Sequence, residues 1–249
     1  MDLEIMSGPE PESVEELRQF RKISLALGYR IFASQRWGDL GDGHISARDP
    51  ERTDCFWLLT RGTSFHRASV SQLVLVGPGG ELVEGNGRIN MAAYYIHHPL
   101  LMARPDVISA AHVHTGWGTP FAAEVRPIEA ISQESCLFHK DHSIFDDEEV
   151  QIQDVDGGKR IAEKLGPYRS VILRNHGLLT VAPRVDEAVG CFVQMERVAE
   201  VQMKARNPKP ISNEAALYAK SDLVRININR VGFWHLVDRY LDDPASVLD

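Results

Sequence analysis

The sequence predicts a single α/β domain in which a central, mixed or mainly antiparallel sheet is flanked by helices. Two observations support this fold class. Short apolar runs typical of strands are joined by glycine-rich turns, and such hairpins outnumber strand–helix–strand units. Longer segments carry apolar residues at helical spacing. A doubly wound parallel sheet is disfavoured, because the Gly-x-Gly-x-x-Gly signature of that fold is absent.

The composition limits the classes of partner. The chain has 249 residues, 43% of them hydrophobic, and 27 basic against 35 acidic residues give a formal net charge of −8. An acidic chain without a basic stripe is a poor binder of nucleic acid or anionic membranes, and no apolar run approaches the roughly 20 residues of a bilayer span. The three cysteines are scattered without a C-x-x-C pair, which is typical of reduced thiols. We therefore expect a cytoplasmic protein without nucleic-acid or membrane partners.

The amino-terminal region is expected to contain a leader and then a long helix. Residues 1–12 are predicted to be a disordered leader, and the folded domain is predicted to span residues 13–249. Ser13 and Glu16 match a capping box, and apolar residues at helical spacing extend the helix to Gln35. Beyond it, glycine-punctuated apolar runs indicate strands, and residues 77–80 (Gly-Pro-Gly-Gly) predict a hairpin turn.

The rest of the chain alternates between helical and strand patterns. A helix over residues 90–98 is predicted to end before Pro99, since a residue that precedes proline avoids the helical conformation. The other predicted elements are strands at residues 107–114, 171–175 and 178–182 and helices at residues 186–205 and 232–241.

Three histidines predict a metal site. His112 and His114 are two residues apart on a predicted strand, so their side chains point to the same face while Val113 is buried behind them. His176 follows another predicted strand and precedes a glycine, and it offers a third imidazole. Imidazole is a good ligand for Zn, Fe, Ni and Mn. The alternative is that these are hydrogen-bonded core histidines, but a pair on one face with a third in a matching context favours a metal.

Several motifs resemble the class II aldolase/adducin family from about Leu17 to Ala205. Besides the three histidines, these are Gly43-His44-Ile45-Ser46-Ala47-Arg48, Thr60-Arg61-Gly62 and Met91-Ala92-Ala93-Tyr94. The resemblance implies a mainly antiparallel sheet flanked by helices, a homotetramer with active sites at subunit interfaces, and a divalent metal bound by His112, His114 and His176.

The sequence departs from the sugar-phosphate aldolases of that family in two places. Their Ser-Ser-Glu supplies a phosphate site and a proton-transfer group, whereas here Glu84 and Gly85 stand at the serines and Asn86 at the glutamate. An amide cannot carry a proton, and a carboxylate repels a phosphate. His44 also replaces an asparagine of the phosphate-side loop. Sugar-phosphate aldol chemistry is therefore disfavoured, unless the loop shifts and Glu84 takes the proton-transfer role.

Within the family, the residues 38–50 and 114–121 are similar to the non-haem iron oxygenases of clorobiocin and novobiocin biosynthesis. That resemblance implies Fe²⁺ and O₂, with oxidative decarboxylation of a 4-hydroxyphenylpyruvate-like acid. Three neutral ligands on one face leave coordination positions where a 2-oxo acid and O₂ can bind.

The remaining site predictions divide among three functions. In the oxygenase, Arg48 or Arg61 would bind the carboxylate of a small oxo or hydroxy acid, Trp117 and Phe121 would contact its apolar part, and Asn86 and His44 would lie on the substrate side. A redox-neutral aldolase or decarboxylating lyase would use Zn²⁺ or Mn²⁺, with Glu84 or Glu134 as proton carrier. The third function is an adducin-like binding module without catalysis, which the intact histidine set disfavours. For Arg48, Arg61 and Glu134, ordinary surface roles are equally compatible with the sequence.

Overall fold

The structure, a computed structural model, describes residues 6–249. The helices in this range are α1 (Val14–Ser34), α2 (Met91–Ala103), α3 (Gly118–Ala123), α4 (Val155–Leu165), α5 (Val185–Lys204), α6 (Asn213–Arg225) and α7 (Ile228–Tyr240). The strands are β1 (Gly43–Arg48), β2 (Phe56–Leu59), β3 (Leu73–Val76), β4 (Leu82–Glu84), β5 (Ser109–Val113), β6 (Ser143–Phe145), β7 (Ser170–Leu173) and β8 (Gly177–Ala182).

The described strands form one sheet in the order β4-β3-β2-β1-β5-β8-β7-β6. Neighbouring strands are antiparallel except β6 and β7, which are parallel. The predicted α/β fold with a mainly antiparallel sheet is therefore confirmed. The central pair β1 and β5 sets the site, because their register places His44 directly opposite His112.

Helices cover both faces of the sheet. On one face, α1 and α5 pack over Ile45, Ala111 and Val113. On the other face, α2 and α4 pack over a second core that includes Ala110 and Leu179. Since side chains alternate along a strand, even-numbered residues of β1 and β5 face α2. This alternation places His44, Ser46 and His112 on the same side of the sheet.

The prediction that a helix ends before Pro99 is wrong, because α2 continues to Ala103. Pro99 lacks the N–H that would bond to the carbonyl of Tyr95 in a regular helix. That carbonyl lies against Gly158 of α4, where a Cβ atom would come within 1.8 Å of its oxygen. The close packing of two helices thus tolerates the break in the hydrogen-bond ladder.

Part of the predicted leader lies outside the described residues, namely residues 1–5. Of the remainder, Met6 is buried in the core on the α1 side. The backbone carbonyls of Ser7 and Gly8 accept hydrogen bonds from Arg230 of α7. These contacts attach residues 6–8 to the domain. Within residues 6–249, no helix combines the length and apolarity that a membrane crossing requires.

Candidate metal centre

Three imidazoles converge at the end of β5. A ring nitrogen from each of His112, His114 and His176 can be chosen so that all three lie within 4.8 Å of one another. The ring centroids are 5.3 Å apart for His112 and His114, 4.8 Å for His112 and His176, and 4.9 Å for His114 and His176. Val113 between the first two is fully buried, as the strand alternation predicts.

Backbone geometry fixes two of the three rings. The Nδ1–H of His112 donates to the carbonyl of Leu178 at 2.7 Å, which leaves its Nε2 lone pair available. His176 lies in the three-residue turn between β7 and β8, after Asn175 with a left-handed φ of 54°. Asparagine tolerates this conformation better than most residues. The next residue, Gly177, begins β8 beside the His112 ring, from which a Cβ atom there would lie 3.4 Å away.

His114 follows the last residue of β5, and its backbone N–H donates to the carbonyl of Asp42 at 3.0 Å. Its ring Nδ1 lies 4.0 Å from a carboxylate oxygen of Asp42. The other carboxylate oxygen, Oδ1, is buried and has no hydrogen-bond partner among residues 6–249. The loop after His114 is anchored by Glu196 of α5, whose carboxylate accepts hydrogen bonds from the backbone of Trp117 and Gly118.

The site favours neutral rings. Burial lowers the pKa of His112 well below its usual value, and the other histidines of the cluster lower it further. Burial, with a smaller contribution from His114, lowers the pKa of His176 to about 4. Neutral imidazole is the form that binds metals, and three such donors suit Zn, Mn or Fe. The residues present therefore fit a divalent ion, and this donor set contains no carboxylate among the described residues.

A fourth histidine, His44, lies beside the cluster. Its ring centroid is 5.0 Å from that of His112, and its Nδ1 is 2.8 Å from Nε2 of His97 in α2. The Nδ1 of His97 is in turn 2.6 Å from the hydroxyl oxygen of Ser46. All three side chains are buried. Burial lowers the pKa of His97 to about 3.

Two of the predicted substrate residues lie near this edge of the cluster. His44 and the exposed Arg61 line a small cavity together with Asn90 and the turn over residues 60–63. The loop that contains Asn86 runs alongside, since the backbone N–H of Arg61 donates to the carbonyl of Arg88 at 2.8 Å. Asn86 itself is exposed.

Two charged residues predicted for the site lie elsewhere. Arg48 is at the opposite end of β1 from Gly43, and its buried guanidinium donates to the carbonyls of Val107, Thr53, Leu101 and Arg104. Four of its five N–H donors are thus used within the protein, and the buried side chain lies away from the histidines, which corrects the prediction for Arg48.

Glu84 lies on the edge strand β4. The aligned pairs run from it through Leu75, Trp57 and Ala47 to Ser109 at the start of β5, whereas His112 lies near the other end of β5. Four strand spacings of about 4.8 Å put β4 roughly 19 Å from β5. The structure therefore does not bring Glu84 to the cluster within one chain.

The predicted aromatic contacts also need correction. Phe121 is fully buried in the core on the α1 side, so it does not line an open pocket. Trp117 is partly exposed, but the groove that it lines is formed with Trp37 and Glu200, and Lys204 covers its ring at 4.6 Å. Glu134 lines another groove between the helices α5 and α6. None of the three histidines lines either groove.

Sequence reasoning missed three residues that surround the cluster, namely Asp42, His97 and Glu196. Asp42 precedes a strand and follows a glycine, which gave only a turn signal. His97 was predicted at a helix end, whereas the continuation of α2 past Pro99 places it within the helix. Glu196 belongs to the apolar face of α5, and a charged residue at such a position is a usable signal, because buried carboxylates need partners.

Comparisons with known proteins agree with the fold. The profile of the class II aldolase and adducin N-terminal domain matches residues 24–203. The chain is 34% identical over 213 residues to the decarboxylase NovR of Streptomyces niveus, covering 84% of this chain and 79% of that protein. It is also 34% identical over 213 residues to a 4-hydroxy-3-prenylphenylpyruvate oxygenase/4-hydroxy-3-prenylbenzoate synthase of Streptomyces roseochromogenus subsp. oscitans, with coverages of 84% and 77%. The solved L-fuculose 1-phosphate aldolase from Glaciozyma antarctica PI12 superposes with a TM-score of 0.85 at 29% identity, covering 98% of this chain and 100% of that one.

Proposed function

The chain belongs to the class II aldolase and adducin family, and from this premise we propose that it is a metal-dependent enzyme that cleaves a carbon–carbon bond of a 2-oxo or hydroxy acid. The observation that carries the proposal is the convergence of three imidazoles, whose ligand nitrogens lie within 4.8 Å of one another. A binding module without catalysis has no use for such a donor set, since uncompensated polar groups in a cleft cost stability.

Oxidative decarboxylation with Fe²⁺ and O₂ is the favoured reaction. Two relatives at 34% identity are named as a decarboxylase and as an oxygenase of a prenylated phenylpyruvate. The three-imidazole set leaves coordination positions for both a chelating 2-oxo acid and O₂, and a bound Fe²⁺ would supply the activation of O₂. A 4-hydroxyphenylpyruvate-like acid is the proposed substrate class.

The residues of the chain would share the work in three ways. His112, His114 and His176 would hold the ion. Arg61, exposed at the cavity that His44 lines, would pair with the substrate carboxylate, for which a guanidinium offers two parallel N–H donors. The anchored loop after His114 would keep that ring in place while substrate enters.

The experiment tests which metal supports the reaction and whether the reaction consumes oxygen. Protein purified anaerobically and stripped of metal is loaded with Fe²⁺, Zn²⁺ or Mn²⁺ and given 4-hydroxyphenylpyruvate in an oxygen electrode. We expect oxygen uptake and release of CO₂ with Fe²⁺ alone. The His114→Ala variant should lose most bound metal by elemental analysis, whereas His235→Ala, which alters an exposed histidine of α7, should bind metal as the unaltered protein does. Unchanged metal content in His114→Ala would refute the site.

The second candidate is a redox-neutral aldolase or decarboxylating lyase with Zn²⁺ or Mn²⁺ as a Lewis acid. The observation in its favour is Asp42, whose carboxylate lies 4.0 Å from the His114 ring and could act as the proton carrier that Glu84 and Glu134 are too poorly placed to be. Product formation under argon with Zn²⁺ or Mn²⁺, abolished in Asp42→Asn, would establish this reaction and exclude the oxygenase.

We also propose a cytoplasmic homotetramer. The three cysteines are free and buried, which agrees with a reducing compartment. Several apolar side chains near the carboxyl terminus are exposed in the single chain, among them Tyr218 at 76% and Val224 at 45%. Light scattering coupled to size exclusion would measure the mass, and a monomer at micromolar concentration would contradict the assembly.

A further inference from the structure

A buried chain of hydrogen bonds ends beside the metal centre. It begins at the hydroxyl of Ser46, continues 2.6 Å away to Nδ1 of His97, and passes from Nε2 of His97 over 2.8 Å to Nδ1 of His44. Ser46 and His97 are fully buried, and His44 is 6% exposed. These hydrogen bonds connect β1 to α2. Among the described residues, the Nε2 of His44 is the one ring nitrogen of the two histidines that has no hydrogen-bond partner.

The direction of donation along this hydrogen-bond chain is set by Ser46, at its buried end. The Ser46 hydroxyl makes one side-chain hydrogen bond in residues 6–249, the bond to His97. If His97 carried its proton on Nδ1, that proton would point at the Ser46 oxygen, and the hydroxyl hydrogen would be buried without an acceptor. An unsatisfied buried donor is costly, so the hydroxyl of Ser46 donates to Nδ1 of His97.

The same rule fixes the next two protons. With Nδ1 as acceptor, neutral His97 carries its proton on Nε2 and donates it to Nδ1 of His44. Neutral His44 then carries its own proton on Nε2. This nitrogen has no hydrogen-bond partner in the described part of the chain, and it is not among the fully enclosed unpaired polar atoms, so it is open to an incoming acceptor in a residue that lines the cavity.

We infer that His44 presents a fixed Nε2–H donor to an anionic oxygen of the substrate, that His97 and Ser46 are its positioning residues, and that His44 is not a fourth metal ligand. The inference rests on the proposed function for the identity of the substrate, a 2-oxo or hydroxy acid. A nitrogen that carries a proton has no lone pair for a metal, which explains how a fourth imidazole can adjoin the cluster without joining it. A neutral donor also stabilises negative charge on substrate without repelling the cation.

The position of the donor suits this task. His44 contacts His112 at 5.0 Å between ring centroids and lines the cavity beside Arg61. An acid held at the ion would bring an anionic oxygen to this cavity. There it would accept a hydrogen bond from His44.

The tautomers can be measured without turnover. Protein labelled with ¹⁵N-histidine, both metal-free and Zn²⁺-loaded, is studied by long-range ¹H–¹⁵N correlation spectra, which distinguish Nδ1–H from Nε2–H. We expect Nε2–H for both His44 and His97, and a shift of His97 toward Nδ1–H in Ser46→Ala. Nδ1–H on His44 in the unaltered protein, or a lone pair of His44 bound to Zn²⁺, would overturn the inference.

A second measurement separates this inference from the proposed function. Metal content by elemental analysis and binding of 4-hydroxyphenylpyruvate by calorimetry are compared for His44→Ala and His44→Asn, both Zn²⁺-loaded. We expect full metal content in both, with the Kd of the acid raised about tenfold to a hundredfold in His44→Ala and partly restored by the amide donor of His44→Asn. Unaltered binding by His44→Ala overturns the donor role, whereas an unaltered protein that binds neither metal nor acid refutes the proposed function and leaves the tautomer result to decide the inference.

Discussion

Glu196 fixes the loop that follows the histidine pair. Its Oε2 accepts hydrogen bonds from the Thr115 hydroxyl and from the backbone N–H of Gly118, both at 2.6 Å, and its Oε1 accepts one from Trp117 at 3.0 Å. Burial raises the pKa of this carboxyl, and these donors partly offset the effect. The carboxylate thus satisfies three donors of a loop that begins one residue after His114.

Replacing Glu196 by glutamine should loosen this loop. The amide has one acceptor oxygen, so at least one of the three donors loses its partner at a cost of about 1–3 kcal/mol in unfolding free energy. We expect faster hydrogen exchange at residues 115–118 and weaker Zn²⁺ binding by calorimetry. The matched control is Glu200→Gln one turn later on α5, where the partner is Lys204 of the same helix. Equal exchange rates in the two variants would contradict the anchoring role.

The residues of the site differ in how far sequence could predict them. The pairing of His112 with His114 depends on local alternation, and the contribution of His176 was suggested by a strand end before a glycine. Asp42 and Glu196 reach the site through contacts between segments that are distant in sequence. Asp42 lies 72 residues before His114, and Glu196 lies 82 residues after it. Only the fold creates those contacts.

At the scale of elements, the pairing of α2 with α4 brings His97 to the site. Pro99 leaves the carbonyl of Tyr95 without its helical partner, yet α2 continues because Gly158 lets α4 approach that carbonyl closely. One turn of helix beyond the predicted end changes the role of His97 from a helix terminus to the middle of a buried hydrogen-bond chain.

Replacing Gly158 by alanine should separate the two helices. The new Cβ would lie 1.8 Å from the Tyr95 oxygen and 2.9 Å from Pro99, and backbone cannot move aside cheaply. We expect a loss of about 3 kcal/mol in unfolding free energy, measured by urea denaturation. Gly232→Ala is the matched control: it lies within α7, and the nearest atom to its added Cβ is 3.8 Å away. That control should be neutral or stabilising by up to about 1 kcal/mol, since alanine favours helix. Similar losses in both variants would refute the close-packing argument.

Local signals predicted those elements whose boundaries depend on local chemistry. The capping box gave the start of α1, where the backbone N–H of Glu16 donates to the Ser13 hydroxyl at 3.4 Å. The glycine-rich turn gave the hairpin of β3 and β4. Pro99 was misjudged because the rule concerns an isolated helix, whereas packing against Gly158 decides the outcome here. The full order of the sheet, with β1 beside β5, depends on long-range pairing and was not predicted; the family resemblance implied only a mainly antiparallel sheet.

For the whole molecule, histidines held neutral in the interior make stability depend on pH. His97 has its pKa lowered by burial to about 3. His142 lies far along the chain and must also be neutral, because its Nδ1–H donates to the Phe138 carbonyl at 2.7 Å while its Nε2 accepts the N–H of Ile128 at 3.0 Å. Burial lowers its pKa as well.

The metal-free protein should therefore lose stability as the pH falls below the usual histidine value of about 6.5. The unfolded chain takes up protons there that the native state refuses, so the unfolding free energy declines by up to about 1.4 kcal/mol per pH unit for each such histidine, and for His97 the decline continues until about pH 3. Urea denaturation with a chelator present, at intervals from pH 7.5 to about pH 4, measures the slope. His142→Gln, whose amide can both donate and accept, should reduce the slope, whereas the exposed-site variant His235→Gln should keep it. A slope that His142→Gln leaves unchanged would show that this ring is protonated in the native state, against the hydrogen bonds assigned to it.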